Sequence, residues 1–181
     1  MRTPTTTAMT VGPCYSELMM QPWGIQMRVI IAIGMLLVLS GGAQAETLYY
    51  GSRAGMEVTV VKKSNIGSTH AKILTEHTRE NATAFCREYV LKVTPKCIAD
   101  EMKVQLLPEI SANCRTGKFT TFSGQGYQFR GTNPDYDPTG MSTEYLLVEV
   151  GGGQPLDGTS ASGYDVALGQ FKALCPNRVK E

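Results

Sequence analysis

The chain has 181 residues, and its 17 Lys and Arg side chains are balanced by 16 Asp and Glu, which gives a formal net charge of +1. A protein that neutralises many phosphates needs an excess of basic side chains, so this balance disfavours a nucleic-acid partner. Hydrophobic residues make up 42% of the chain and charged residues 18%. That composition excludes a wholly disordered chain and predicts one small folded domain.

An uncharged apolar run, Val29–Leu39, follows Arg28 and precedes the small-residue triplet Ala43-Gln44-Ala45. This layout is typical of a secretory signal peptide that is cleaved after Ala45. The run is eleven residues long, whereas crossing a bilayer takes about 20. We therefore expect a periplasmic or secreted protein with no stable membrane insertion after cleavage.

The residues before Met27 fit a signal peptide poorly, because such leaders are about 15 to 30 residues long in all and open with a basic region. One hypothesis is that translation starts at Met27, and the alternative is an unusually long leader or a disordered tail over 1–26. The predicted organisation is an extension at 1–26, a signal peptide at 27–45 and a single domain at 46–181. Loss of two basic side chains and one acidic side chain leaves 15 of each in that domain, so nothing in its net charge attracts nucleic acid.

Removal of Cys14 with the leader leaves four cysteines, Cys86, Cys97, Cys114 and Cys175. An even number in an exported chain predicts disulfides, and four cysteines allow three pairings. We favour Cys86 with Cys97, which would link two neighbouring helices, and Cys114 with Cys175, which would tie a central strand to the C-terminal helix. The spacings contain no C-x-x-C pair, from which zinc and redox sites are usually built. We therefore expect no cofactor.

The first predicted elements are two strands, Met56–Lys62 and Ala71–His77, both rich in β-branched or aliphatic residues. Thr78 then stands as the N-cap of a helix. Apolar residues follow at helical spacing and predict a stripe that faces the sheet. These residues are Ala82, Phe85, Cys86, Tyr89 and Val90.

Thr94-Pro95 repeats the helix start signal and predicts a second helix from Pro95 to about Val104. Glu109–Cys114 is predicted to be extended. Lys118–Phe122 and Tyr127–Arg130 flank a glycine-containing turn, which predicts a hairpin. Its aromatic residues are expected in the core rather than on a ligand-binding face. They are Phe119, Phe122, Tyr127 and Phe129.

The remaining elements are a loop at Asn133–Gly140, a strand at Glu144–Val150 and a last helix that starts near Ser162 or Asp165 and ends by Pro176. The fold class is then α+β, a small antiparallel-rich sheet with two to three helices packed on it and stapled by disulfides.

His70 and His77 are the histidines of the chain. On one strand they would lie about 20 Å apart, too far to share a metal ion. We expect them to be exposed at the strand ends.

A serine hydrolase is one alternative function, with Ser160 or Ser162 as nucleophile, His70 or His77 as base, and an acid such as Asp165. The segment Gly158–Gly163 approaches the G-x-S-x-G pattern, but its second glycine comes one position late. Ser162 as a helix cap explains the same residues with fewer assumptions. No catalytic residue is therefore assigned.

A calcium-stabilised loop over 133–144 is the second alternative. Asn133, Asp135, Asp137 and Glu144 occupy positions 1, 3, 5 and 12 of a calcium-loop pattern. Pro138 stands where that pattern has its turn glycine, and the flanks are predicted strands rather than helices. An acidic, proline-rich surface loop is the simpler interpretation.

Four stretches of the mature chain carry a resemblance, namely Ser52–Val61, His77–Cys86, Ser160–Tyr164 and Phe171–Pro176. Through them the chain resembles uncharacterised exported proteins of rhizobia-like alphaproteobacteria. The resemblance implies a bacterial periplasmic or secreted origin and no particular activity. Taken with the absence of a catalytic pattern, it leads us to expect a non-enzymatic domain that binds a protein, a peptide or an envelope component.

Overall fold

The structure is a computed structural model that describes residues 45–181, except Met141, Gln154 and Glu181. The predictions for the extension at 1–26, the start at Met27 and the apolar run of the signal peptide lie outside the described residues.

Seven strands form one antiparallel sheet whose spatial order is the chain order, so strands that are consecutive in the chain are also neighbours in the sheet. The predicted α+β class and the antiparallel sheet are confirmed. A first edge strand before the predicted ones was missed, because it has only three residues. The strands are β1 Thr47–Tyr49, β2 Glu57–Ser64, β3 Ala71–Glu76, β4 Glu109–Asn113, β5 Lys118–Thr120, β6 Gly126–Thr132 and β7 Tyr145–Glu149.

Three α-helices accompany the sheet: α1 Arg79–Glu88, α2 Pro95–Glu101 and α3 Tyr164–Leu174. Short 3₁₀ turns flank α3 at Ser160–Ser162 and Pro176–Arg178. The helix α2 ends three residues earlier than predicted.

The main core lies between the sheet and α3. In β3 the side chains alternate strictly between buried and exposed, which is the pattern of a strand with one face against a core. The ring of Phe171 on α3 lies 5.1 Å from that of Phe119 and 4.6 Å from that of Phe129, between ring centroids. All four aromatic residues of the predicted hairpin are buried, as expected.

A second, smaller core joins α1 to α2, and its buried members are Ala82, Cys86 and Ile98. The apolar stripe of α1 therefore packs mainly against α2, and the prediction that it faces the sheet is wrong. The stripe also ends at Cys86, since Tyr89 and Val90 are exposed.

The cysteines pair as Cys86 with Cys97 and Cys114 with Cys175, at Cα–Cα distances of 6.1 and 5.5 Å. This is the favoured pairing. One disulfide closes α1 onto α2, and the other joins the end of β4 to the end of α3.

Neither Ser162 nor Asp165 caps α3. The cap residue is Gly163, at φ 73°, a left-handed conformation that suits glycine. The Ser162 hydroxyl instead donates to the Asp157 carbonyl at 2.6 Å and accepts from the Tyr164 amide at 3.3 Å. The serine therefore closes the turn before the helix.

Candidate binding surface

Leu91, the most exposed large apolar side chain of the described residues, lies on the helical hairpin, which we define as α1, α2 and their connection. Each helix starts at a threonine cap that the sequence predicts. Thr78 forms a reciprocal capping box with Asn81, and the Thr94 hydroxyl accepts from the Cys97 amide at 3.1 Å. The two caps fix where each helix begins, and so they fix the length of the connection between them.

We call the seven residues Arg87–Val93 the tip of the hairpin, and every one of them is exposed. Its apolar side chains retain much of their accessible surface: 80% for Leu91, 51% for Val93, and 44% each for Tyr89 and Val90. Connections between helices are usually polar, because they face water. A cluster of four exposed large apolar side chains on one short connection therefore marks a surface suited to a partner.

Leu91 adopts a left-handed conformation, with φ 57°. This region clashes with Cβ, and a residue other than glycine, asparagine or aspartate pays about 1 to 2 kcal/mol to occupy it. Strained backbone of this kind concentrates at functional positions. Glycine or asparagine would satisfy the turn with less strain, so a leucine here points to a role for the exposed side chain.

Charged side chains surround the tip, and most of the acidic ones are paired with basic ones. Arg87 contacts Glu88 at 2.9 Å. On α2, Asp100 contacts Lys96 and also Lys103, which holds the pKa of the Asp100 carboxyl below its usual range. These pairs use three of the basic side chains near the tip, and Lys92 takes part in none of them.

Arg53 reaches the tip from the connection between β1 and β2. Its guanidinium lies 4.6 Å from the centre of the Tyr89 ring, in a cation–π contact. The Tyr89 ring in turn stacks on Phe85, with centroids 5.4 Å apart. This stack fixes the base of the tip on α1.

A shallow groove of about 400 Å³ runs between the two helices beneath the tip. Phe85, Val90 and Cys97 form part of its wall, together with the charged residues Lys96, Asp100 and Glu101. The groove is open and of mixed polarity, in contrast to the apolar tip above it.

A buried polar cluster fixes the hairpin to the sheet. The Tyr50 hydroxyl donates to Glu101 Oε1, and His77 Nε2 lies 3.9 Å from the same oxygen. The rings of Tyr50 and His77 meet edge to face with centroids 5.5 Å apart. A second link is the Thr59 hydroxyl, which donates to Asn81 Oδ1 at 3.1 Å. These contacts hold the residues that directly follow β1 and β3 against α2, and join β2 to α1.

Burial and the neighbouring Glu101 raise the pKa of the Tyr50 phenol well above its ordinary value, so the phenol keeps its proton and acts as a donor. Burial lowers the pKa of His77, and the opposing attraction of Glu101 is the smaller effect. The imidazole is therefore neutral near pH 7, and its 3.9 Å contact with Glu101 is not an ion pair there. Its Nδ1 is buried without a hydrogen-bond partner.

The two histidines differ in how far their side chains are exposed to solvent. His70 is exposed, as expected. His77 is not, since its side chain retains 12% of its accessible surface, and the expectation of an exposed His77 is wrong. The reason is that Tyr50 and Glu101 cover the end of β3, a contact that comes from distant parts of the chain.

Ser162 of the hydrolase alternative makes no hydrogen bond to a histidine among the described residues, and the side chain of Ser160 lies outside them. Ser162 donates to backbone carbonyls, at 2.6 Å for Asp157 and 2.8 Å for Thr159. It borders a cavity of about 220 Å³ whose lining contains Gln125, Tyr127 and Gln170 and no histidine. Nothing described activates this hydroxyl as a nucleophile.

The loop at 133–144 uses its oxygen side chains internally. Asn133 Oδ1 accepts from the Asp135 amide at 3.0 Å, and Asp137 Oδ1 accepts from the amide and the hydroxyl of Thr139 at 2.8 and 2.7 Å. Glu144 joins the loop through its backbone carbonyl, which accepts from the Asn133 amide at 2.8 Å. Within the described part of the chain, no three His, Cys, Asp or Glu side chains come together in a way that could hold a metal ion.

No helix in the described part of the chain has the length and apolar character that crossing a bilayer requires. Comparison with protein-family models, with curated protein sequences and with solved structures gives no match for this chain. Its function is therefore inferred from its own residues.

The sequence carries a signal for the tip in the residues that follow the predicted stripe. Tyr89, Val90, Leu91 and Val93 form a nearly continuous apolar run directly before the next helix start at Thr94-Pro95. Such a run does not fit helical spacing, so a single helix face cannot bury all of it.

Proposed function

We propose that this protein is a non-enzymatic, exported binding domain whose partner-contacting element is the tip of the helical hairpin. The observation that carries the proposal is the exposure of four large apolar side chains on seven consecutive exposed residues. Leaving such a cluster in water forgoes burial of apolar surface at about 25 cal/mol per Å². A partner that covers the tip recovers that free energy.

The compartment follows from the chemistry of the thiols. Two disulfides within one small domain fit an oxidising environment, where such bonds persist. The signal-peptide pattern and the resemblance to exported bacterial proteins narrow this proposal to the periplasm or the cell exterior. The partner is then a protein, a peptide or an envelope component that is present there.

The test uses the protein expressed from its full sequence and a native envelope fraction. Sedimentation of wild type with that fraction is compared with Leu91→Asn, which removes the most exposed apolar side chain but keeps a residue that tolerates left-handed backbone. The matched control is Val150→Asn, since Val150 is 54% exposed and lies at the end of β7, outside the hairpin.

We expect wild type and Val150→Asn to sediment with the envelope fraction and Leu91→Asn to bind about tenfold more weakly. The proposal fails if wild type shows no retention, or if Leu91→Asn is retained as well as wild type.

A further inference from the structure

We infer that the surface that the tip binds is an anionic lipid bilayer, which the protein contacts peripherally and reversibly. This inference rests on the proposed function and specifies its partner. The supporting observations are the form of the tip, its strained leucine and the charge around it.

The form of the tip suits a fluid surface. Its apolar side chains stand on a turn with all seven residues exposed. A protein partner needs a surface shaped to the tip, whereas an acyl-chain boundary accepts any projecting aliphatic group. Val90, Leu91 and Val93 are aliphatic, and Tyr89 has the amphipathic ring that favours the headgroup level of a membrane.

Leu91 gives the second argument. It is the most exposed large apolar side chain of the described residues and occupies a left-handed backbone position. That backbone ends α1, since the Lys92 amide donates to the Cys86 carbonyl at 3.0 Å across it. Glycine is the usual residue at such a position, and a leucine there is explained if its exposed side chain is used.

Charge gives the third argument. The charged side chains of the tip are Arg87, Glu88 and Lys92, and Arg53 beside Tyr89 adds a third basic group. The tip together with Arg53 is therefore net positive by two, although the domain at 46–181 has balanced charges. Basic side chains near an apolar insertion are attracted by anionic headgroups at about fivefold in binding for each Lys or Arg. Lys92, within the tip, stands between Leu91 and Val93 in the chain.

The test is flotation with synthetic vesicles, one set of phosphatidylcholine alone and one of equal parts phosphatidylcholine and phosphatidylglycerol. We expect wild type and Val150→Asn to bind the anionic vesicles and to be released by high salt, which screens the charges. Leu91→Asn should bind about tenfold more weakly, and Lys92→Gln about fivefold more weakly. Thermal melts of each variant verify that it is folded.

Each other outcome overturns the inference. If the tip-dependent retention by the native envelope fraction stands but neither vesicle binds, the partner is a protein or another envelope component, and the proposed function survives. If wild type self-associates in a Leu91-dependent manner without vesicles, the occupant is a second copy of this chain. If both vesicle types bind equally and Leu91→Asn has no effect, the tip is not the lipid contact.

Discussion

Each of the two disulfides holds a different region, and the regions differ in what else supports them. Cys114–Cys175 reinforces α3 on the sheet, where Phe171 and Leu174 are fully buried among aromatic rings. Cys86–Cys97 closes the helical hairpin, whose own core has three buried residues. The first region has extensive apolar burial besides its disulfide, and the second has little.

This difference indicates that the region around α3 provides most of the stability, whereas the helical hairpin is free to serve in binding. Regions with few buried apolar contacts are those that open most readily, and binding elements are commonly drawn from them. In the hairpin, a disulfide and the Tyr50–Glu101–His77 cluster replace the missing core. They hold the tip in place without covering its apolar side chains, which leaves those side chains available to a partner.

The largest effect should come from the main core. Phe171→Ala removes a fully buried ring that contacts Phe119 and Phe129. We expect a loss of about 3 to 5 kcal/mol in the free energy of unfolding, measured by chemical denaturation. A loss below 1 kcal/mol would contradict the assignment of α3 to the core.

Removal of the hairpin disulfide should act locally. The double variant Cys86→Ser, Cys97→Ser returns conformational entropy to the unfolded chain. For an 11-residue separation, the loop model gives a loss of about 3 kcal/mol in the free energy of unfolding. We expect amide hydrogen exchange to accelerate in α1 and α2 while the amides of β3 and β4 keep their protection. The matched control is the double variant Cys114→Ser, Cys175→Ser, which should instead lower amide protection across the sheet. If both double variants gave the same exchange pattern, the two disulfides would not support separate regions.

Relief of backbone strain at the tip should stabilise the folded protein. Leu91→Asn places a residue that tolerates left-handed backbone at φ 57°, and we expect the free energy of unfolding to rise by about 1 kcal/mol. The same variant is expected to bind more weakly. A stabilised variant with lost binding would separate the two roles of this residue, whereas a destabilised one would show that Leu91 contributes to folding.

The smallest effect should be a dependence of stability on pH. The pKa of His77 is lowered in the folded protein, so the unfolded chain takes up its proton first as the pH falls below about 6.5. Stability is therefore full above that pH and declines as the pH falls toward the folded pKa. In thermal melts, His77→Gln should flatten this decline. An equally steep decline in that variant would contradict the neutral, buried imidazole.

The sequence predicted those parts of the fold that depend on local signals. The caps Thr78 and Thr94 were readable because threonine at a helix start satisfies free amides of the first turn. The strands β2 and β3 were readable from their aliphatic residues. The end of the last helix was clear from Pro176, but its start was not, because Gly163 acts through a left-handed backbone that no side-chain pattern announces.

The candidate surface was less predictable for a physical reason. The burial of His77 depends on Tyr50 and Glu101, which lie 27 and 24 positions away in the chain. The exposure of Tyr89 and Val90 depends on where α2 begins to cover α1. Helical spacing identifies an apolar face, but only the packing of a second element determines how far along that face burial extends.

The most direct test of the central claim is a hydrogen-exchange footprint of the wild-type protein with and without the native envelope fraction. If the hairpin is the binding element, slowed exchange should be confined to the tip at 87–93 and the adjoining turns of α1 and α2. The amides around Val150 should be unchanged. Protection at the far edge of the sheet, with none at the tip, would contradict this account.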